Sequence, residues 1–193
     1  TSGTIDGARI DNVSASVITG ALENSSIPKP ADSIVFYSTR GMTANLGGRS
    51  GADAICLSYL DNESISMFNN SCSNVRAVIS IDSNDELRDM ASNYNIPRDR
   101  DIRGSFGVKF GTSWDNYTNG THWYPLAAVV GGMITSDDNH YQFWSGSTTS
   151  GALSNHCSNF TTSSGTGATI GYGNAIGTAS LGGTTNAGCG QTK

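Results

Sequence analysis

The amino-acid sequence predicts an α+β fold, and three observations support that class. The chain of 193 residues has only 14% charged residues and contains 24 glycines, a composition that favours strands and loops over long helices. A strand-like run followed by a helical pattern occurs twice between residues 34 and 97. Beyond residue 97 only short strand-like runs follow among long polar loops, which is the element order of an α+β domain.

The first predicted strand and helix lie between residues 34 and 60. Residues 34–37, Ile-Val-Phe-Tyr, are β-branched or aromatic and predict a strand. After a glycine-rich turn, Ser50 is placed to cap a helix. Apolar residues then recur at i, i+3, i+4, i+7 and i+8 and form one helix face, made of Ala52, Ile55, Cys56, Tyr59 and Leu60.

The second predicted pair lies between residues 77 and 97. Residues 77–81, Ala-Val-Ile-Ser-Ile, predict a strand. Ser83 and Glu86 have the spacing of a capping box, and Pro97 marks the end of the helix that follows. The apolar face of that helix is expected to consist of Leu87, Met90, Ala91 and Tyr94.

The sequence predicts no helix after Pro97. Short strands are expected at residues 106–110, 126–130 and 141–144. The stretch 161–188 is rich in Gly, Ser, Thr and Ala and nearly uncharged, and its few large apolar side chains are expected to be buried: Ile170, Tyr172, Ile176 and Leu181.

The first thirty residues contain an internal repeat. The pattern Gly-x-[Ile/Leu]-[Asp/Glu]-x-x-x-Ile begins at Gly3 and returns at Gly20. A lone strand pair is unstable in water, so the isolated apolar side chains predict burial between three chains around a common axis. The segment resembles shaft repeats of phage tail fibres and bacterial trimeric fibres. We therefore expect a trimeric shaft at residues 1–31 and a tip domain at 32–193; an unstructured linker is the alternative.

The tip domain carries a family signature. Residues 43–56, Thr-Ala-Asn-Leu-Gly-Gly-Arg-Ser-Gly-Ala-Asp-Ala-Ile-Cys, are similar to the Gly-Asn-Leu-Gly-Gly-x-x-Gly-Ala-Asp-Ala-x-Cys signature of bacterial endostatin-like domains. Further matches follow in order at residues 112–116, 119–120, 143–147, 156–160 and 188–189. The resemblance implies a C-type-lectin-like fold with two helices, irregular antiparallel sheets and long loops.

The four cysteines favour disulfides in an oxidising or extracellular setting over a zinc site, because none belongs to a Cys-x-x-Cys pair. The family resemblance implies a Cys157–Cys189 bridge. In that family the Cys after Gly-Ala-Asp-Ala meets a terminal Cys that this sequence does not contain. We therefore expect Cys56 to pair with the additional Cys72.

The sequence contains no recognised catalytic motif. Gly-x-Ser-x-Gly, His-Glu-x-x-His and phosphate-loop patterns are absent, so we expect no catalytic residue, metal or cofactor. The animal-lectin calcium tripeptides Glu-Pro-Asn and Gln-Pro-Asp are absent as well. The three histidines, His122, His140 and His156, lie in polar loops where a solvated imidazole is expected. A net charge of −5 without clustered Lys and Arg disfavours nucleic acid, and no apolar run could span a membrane.

The candidate ligand surface lies between residues 112 and 141, where the resemblance places variable loops. Aromatic rings there suit the apolar faces of a sugar, and polar groups suit its hydroxyls; the same mixture would suit a protein epitope. Trp114 and Trp144 lie inside family motifs and are expected in the core, whereas Trp123 and Tyr124 could belong either to the core or to the ligand surface. The candidate ligand-binding residues are Trp123, Tyr124, Asp137, Asp138, Asn139, His140 and Tyr141.

Together these features predict the non-catalytic tip of a homotrimeric extracellular fibre, on a bacterial surface or a virion tail, that binds a cell-surface glycan. Three equal sites would convert weak single-site affinity into avidity. The alternatives are a trimerisation cap, a binder of host surface proteins like the spirochaetal endostatin-like proteins, and a fibre-borne glycan hydrolase, which would need two paired carboxylates.

Overall fold

The structure is a computed structural model that describes residues 33–39, 41–62, 72–130, 141–183 and 186–193. The predicted trimeric shaft at residues 1–31 lies outside the described residues. The described part is a mixed arrangement of short helices and two small sheets, which is an α+β fold.

The six described strands form two three-stranded sheets. The strands are β1 (Ile34–Phe36), β2 (Ile102–Gly104), β3 (Lys109–Gly111), β4 (Gln142–Trp144), β5 (Ala168–Tyr172) and β6 (Asn186–Ala187). In the first sheet, with order β1-β2-β3, β1 pairs parallel with β2, and β2 pairs antiparallel with β3. In the second, with order β4-β5-β6, both pairings are antiparallel.

One long helix and several short ones connect the strands. The predicted first helix is present, but it begins at Gly48, two residues before the predicted cap Ser50. Gly47 and Gly48 have φ of 79° and 68°, a conformation that favours glycine at the turn into the helix. The helices are α1 (Gly48–Asn62), α2 (Met90–Asn93), α3 (Trp114–Thr118), α4 (Leu126–Val129) and α5 (Cys157–Phe160), with 3-10 turns at Leu87–Asp89 and Thr178–Ser180.

Arg49 in the first turn of α1 explains why residues 77–81 do not form the predicted strand. Its guanidinium donates to the backbone carbonyls of Ala77 at 2.6 Å and Ile79 at 2.7 Å. It also donates to both carboxylate oxygens of Asp85, at 2.7 and 3.0 Å. The segment is thus held to a helix through its carbonyls rather than paired in a sheet.

The predicted capping box is wrong. Ser83 lies in a turn between Asp82 and Asp85, and Glu86 makes no side-chain cap to the helix that follows. The Glu86 carboxylate instead accepts a hydrogen bond from the Leu153 backbone N–H at 2.9 Å. In a capping box, the Glu86 side chain would bond to the start of its own helix; here this long-range contact occupies it instead.

The structure also revises the elements predicted after Pro97. Strand β4 confirms the prediction at residues 141–144, and β3 covers only part of the run at 106–110. In the run 126–130, Leu126–Val129 form the short helix α4 rather than a strand; Pro125 precedes its first turn, and the N–H of the following Val130 donates back to Leu126 O. Helix α3 was not predicted, although the Ser113 side chain caps it by accepting from the Asn116 N–H at 3.1 Å.

The buried side chains form two clusters. The first includes Phe36, Phe110, Trp114 and Tyr117 and packs helix α3 against the first sheet. The second forms around the second sheet and contains Trp144, Phe160, Ile170, Cys157 and Cys189. Of the apolar residues expected to be buried in 161–188, Ile170 and Leu181 are buried, whereas the expectation is wrong for Ile176, which is 59% exposed.

The disulfide chemistry differs from the prediction at one pair. The structure contains the predicted Cys157–Cys189 bridge, whereas Cys56 and Cys72 are free thiols, so the predicted Cys56–Cys72 bridge is absent. Cys56 packs as an apolar side chain against the second cluster. Burial, with a smaller contribution from nearby Asp53, raises the pKa of its thiol to about 11, which keeps the thiol protonated and unreactive.

Helix α5 has the opposite hand to the other helices. Its four residues, Cys157–Phe160, all have positive φ, between 46° and 58°. His156 caps the turn, since its Nδ1 accepts from the Asn159 N–H at 2.9 Å. Phe160 O accepts from the Leu46 N–H at 2.9 Å, which links this left-handed turn to the segment that leads into α1.

Candidate ligand-binding surface

Trp123 and Tyr124 are adjacent and exposed, with 53% and 49% of their surfaces accessible. They follow helix α3, and the Trp123 N–H donates to the carbonyl of Phe110 in β3 at 2.9 Å. The two rings are therefore displayed from a backbone that is held to the sheet. We call Trp123, Tyr124 and the neighbouring Lys109 the aromatic surface.

The buried side chain of His122 anchors the loop that carries this surface. The imidazole is buried, at 5% exposure, and it lies edge-on to the Phe110 ring, with centroids 6.2 Å apart, and 5.8 Å from the Tyr117 ring. The expectation of a solvated His122 is therefore wrong. Gly120, at φ 81°, lies so close to Thr178 that a Cβ would clash with the Thr178 backbone. These contacts fix the base of the loop.

Lys109 lies close to both the Trp123 ring and a carboxylate. Its Nζ lies 5.5 Å from the centroid of the Trp123 ring, within the range of a cation–π contact. The same Nζ lies 2.7 Å from Asp101 Oδ1. The aromatic surface thus combines apolar ring faces with a fixed donor and acceptor beside them. The sequence does not reveal Lys109 as a site residue, because the long-range hydrogen bond from the Trp123 N–H to Phe110, the residue after Lys109, brings the two side chains together.

The other predicted ligand residues fall into two groups. Asp137, Asp138, Asn139 and His140 lie outside the described residues. Tyr141 is half-buried, and its carbonyl accepts from the Gly173 N–H at 2.5 Å. Since Gly173 O in turn accepts from the Ala127 N–H at 2.8 Å, the chain at Tyr141 returns close to the segment that follows Tyr124. Trp114 and Trp144 are buried, as expected.

Several buried polar atoms beneath the loop have no hydrogen-bond partner within the part of the chain that the structure describes. They are Trp114 Nε1, Tyr117 Oη and both ring nitrogens of His122. Burial lowers the pKa of His122, and the nearby Ala175 backbone, which falls outside hydrogen-bond geometry with the ring, opposes this only in part. Burial also raises the pKa of Tyr117. Both side chains are therefore neutral at physiological pH, since charging either would place an ion among aromatic rings.

We expect His122 to make the domain sensitive to acid. Because its pKa is lowered in the folded state, the unfolded chain binds more protons, and stability falls as the pH drops through the unfolded value of about 6.5. In urea unfolding, the free energy of unfolding should fall more steeply between pH 8 and pH 5 for the parent chain than for His122→Phe. The other titrating groups are common to both chains and cancel in the difference. Parallel profiles would contradict the burial of a neutral imidazole.

Over the described ranges, the structure places no group of three or more His, Cys, Asp or Glu side chains where they could hold a metal ion. Within the same ranges, the helices are too short or too polar to span a bilayer. No family model matches the chain, and no curated protein matches its sequence.

Proposed function

We propose that residues 32–193 form a non-catalytic, C-type-lectin-like domain that recognises a cell-surface glycan through the aromatic surface. The observation that carries this proposal is the exposure of two consecutive aromatic residues, Trp123 and Tyr124, where the Trp123 N–H is hydrogen-bonded to β3. Large aromatic rings are normally well buried. Two adjacent exposed rings on a fixed loop are suited to packing against an apolar partner.

A pyranose ring fits the chemistry of this surface. Its C–H face packs on an indole or phenol ring, and its hydroxyls need donors and acceptors at fixed positions. Lys109 supplies a donor next to Trp123, and Asp101 supplies an acceptor next to Lys109. Because the loop is anchored through His122 and Gly120, little conformational entropy is lost on binding.

The proposal extends to the whole chain as the receptor-binding tip of a homotrimeric fibre. Its support is the repeat in residues 1–31, whose isolated apolar side chains need partner copies for burial. The Cys157–Cys189 bridge suits an oxidising, extracellular location, on a bacterial surface or a virion. Light scattering of the full chain should give a mass near three chains; a stable monomer would reject the trimer.

The glycan proposal is tested on an array with the full chain and with Trp123→Ala. Truncating a central aromatic anchor typically costs 2 kcal/mol or more, so we expect binding to fall at least about thirtyfold. The matched control is Leu57→Ala, which removes an exposed apolar side chain, 47% accessible, from helix α1 and should leave binding unchanged. Equal binding by all three chains would reject the aromatic surface as the site.

A protein ligand is the second candidate. Phe106 and Val108, at the turn between β2 and β3, are 64% and 45% exposed. They precede Lys109 in the chain and add apolar area near the aromatic surface, as a protein interface would. Pull-downs against matrix and complement proteins, set beside the array, would separate the two. Capture that Phe106→Ala and Trp123→Ala abolish, without any glycan signal, would favour the protein ligand.

A further inference from the structure

Two cations face each other across the sheet beside the aromatic surface. Arg103 in β2 and Lys109 in β3 are register partners in the antiparallel ladder. Like charges directly opposite each other destabilise a sheet by mutual repulsion. Such a pair therefore needs an anion nearby.

Within the described residues, a single carboxylate balances only part of this positive charge. Asp101 lies 2.7 Å from Lys109 Nζ and 3.4 Å from Arg103 Nη2, so one carboxylate serves both cations. Arg103 Nη1 donates to Gly107 O at 3.0 Å, whereas the buried Arg103 Nε has no hydrogen-bond partner. Two positive charges against one negative leave this spot cationic, in a chain with a net charge of −5.

The cationic pair is continuous with the ring that would hold a sugar. Lys109 belongs to both, since its Nζ approaches Asp101 on one side and the Trp123 ring on the other. The side chains of Arg103 and Lys109 are 25% and 33% exposed. They are therefore accessible to a ligand while partly shielded from bulk water, and shielding strengthens a charged contact.

We propose that the ligand is an acidic saccharide, whose carboxylate or sulfate binds Arg103 and Lys109 while its ring packs against Trp123. This inference rests on the glycan-binding function proposed above and specifies its ligand class. Charge-assisted hydrogen bonds from both cations would add affinity that a neutral sugar cannot gain. A peptide of Asp and Glu alone would satisfy the cations but would offer no apolar face to the exposed indole.

The test uses an array that pairs each sialylated, uronic or sulfated glycan with its neutral counterpart. We expect the full chain to bind acidic members at least about tenfold better, and Lys109→Gln to remove most of that preference. The matched control is Lys193→Gln, because Lys193 contacts Gln142 of the second sheet; it should keep the preference. Higher salt should weaken the acidic members selectively.

Asp101→Asn separates a binding role from a structural one. Removing the carboxylate that competes for both cations should strengthen acidic-glycan binding several-fold, whereas a purely structural ion pair would give only a loss of stability. Three other outcomes would each overturn a proposal. Equal binding of acidic and neutral glycans overturns this inference but leaves the proposed function standing. An array with no signal overturns both, and full competition by a poly-glutamate peptide overturns the choice of a saccharide.

Discussion

Replacing Arg49 by Met should destabilise the domain by about 3–5 kcal/mol, because it removes one partner from a buried ionic network. The guanidinium is mostly buried and makes a bidentate contact with Asp85 and a second contact, 3.6 Å long, with Asp53. Without it, the Ala77 and Ile79 carbonyls and the Asp85 carboxylate each lose a close, charged donor. A loss of this size is a large fraction of a typical domain's stability.

The measurement is urea unfolding of Arg49→Met at neutral pH, with Arg98→Met as the matched control. Arg98 also forms a close ion pair, 2.6 Å from Asp115, but both side chains are about half exposed. Exposed pairs contribute 0–1 kcal/mol, so we expect the control to unfold near the parent midpoint. Equal losses in the two variants would contradict the anchoring role of Arg49.

Removing the Cys157–Cys189 bridge should lower stability by about 2–5 kcal/mol, as is typical for native disulfides in small extracellular domains. The bridge spans 32 residues, and both sulfurs lie in the second buried cluster. It also holds the first residue of the left-handed turn. We therefore expect the paired replacement Cys157→Ala with Cys189→Ala to lower the thermal midpoint strongly.

Reductant provides the independent check. Dithiothreitol should lower the thermal midpoint of the parent chain towards that of the double variant and leave the variant itself unchanged. Cys72→Ser is the matched control, because Cys72 is a free, partly exposed thiol; its free energy of unfolding should stay within about 0.5 kcal/mol of the parent value. If Cys72→Ser had a lower thermal midpoint than the parent without dithiothreitol, and the reductant removed that difference, Cys72 would be part of a disulfide and the pairing would differ from the one described.

Sequence patterning predicts the elements whose stability is local. Helix α1 has a periodic apolar face and forms almost where expected, and β1 and β4 are short β-rich runs that pair as strands. Residues 77–81 have the same β-rich composition, but a guanidinium from a distant helix takes their carbonyls. No local pattern contains that contact.

The same distinction applies to the candidate site. The sequence left Trp123 and Tyr124 open between the core and the ligand surface, and the structure exposes both. His122, one residue earlier, is buried because Phe110 and Tyr117 pack around it, and residue type alone does not reveal this. Arg103 and Lys109 become neighbours only through the β2–β3 register, which short strands specify weakly in sequence.

The left-handed turn has a consequence for chirality. An L-residue loses about 1–2 kcal/mol in this conformation, whereas the mirror-image amino acid favours it. Ser158 is exposed, with φ 52° and ψ 58°, and both neighbours have the same sign of φ. A semisynthetic chain with D-serine at position 158 would therefore fit the native backbone conformation better than the natural chain with L-serine.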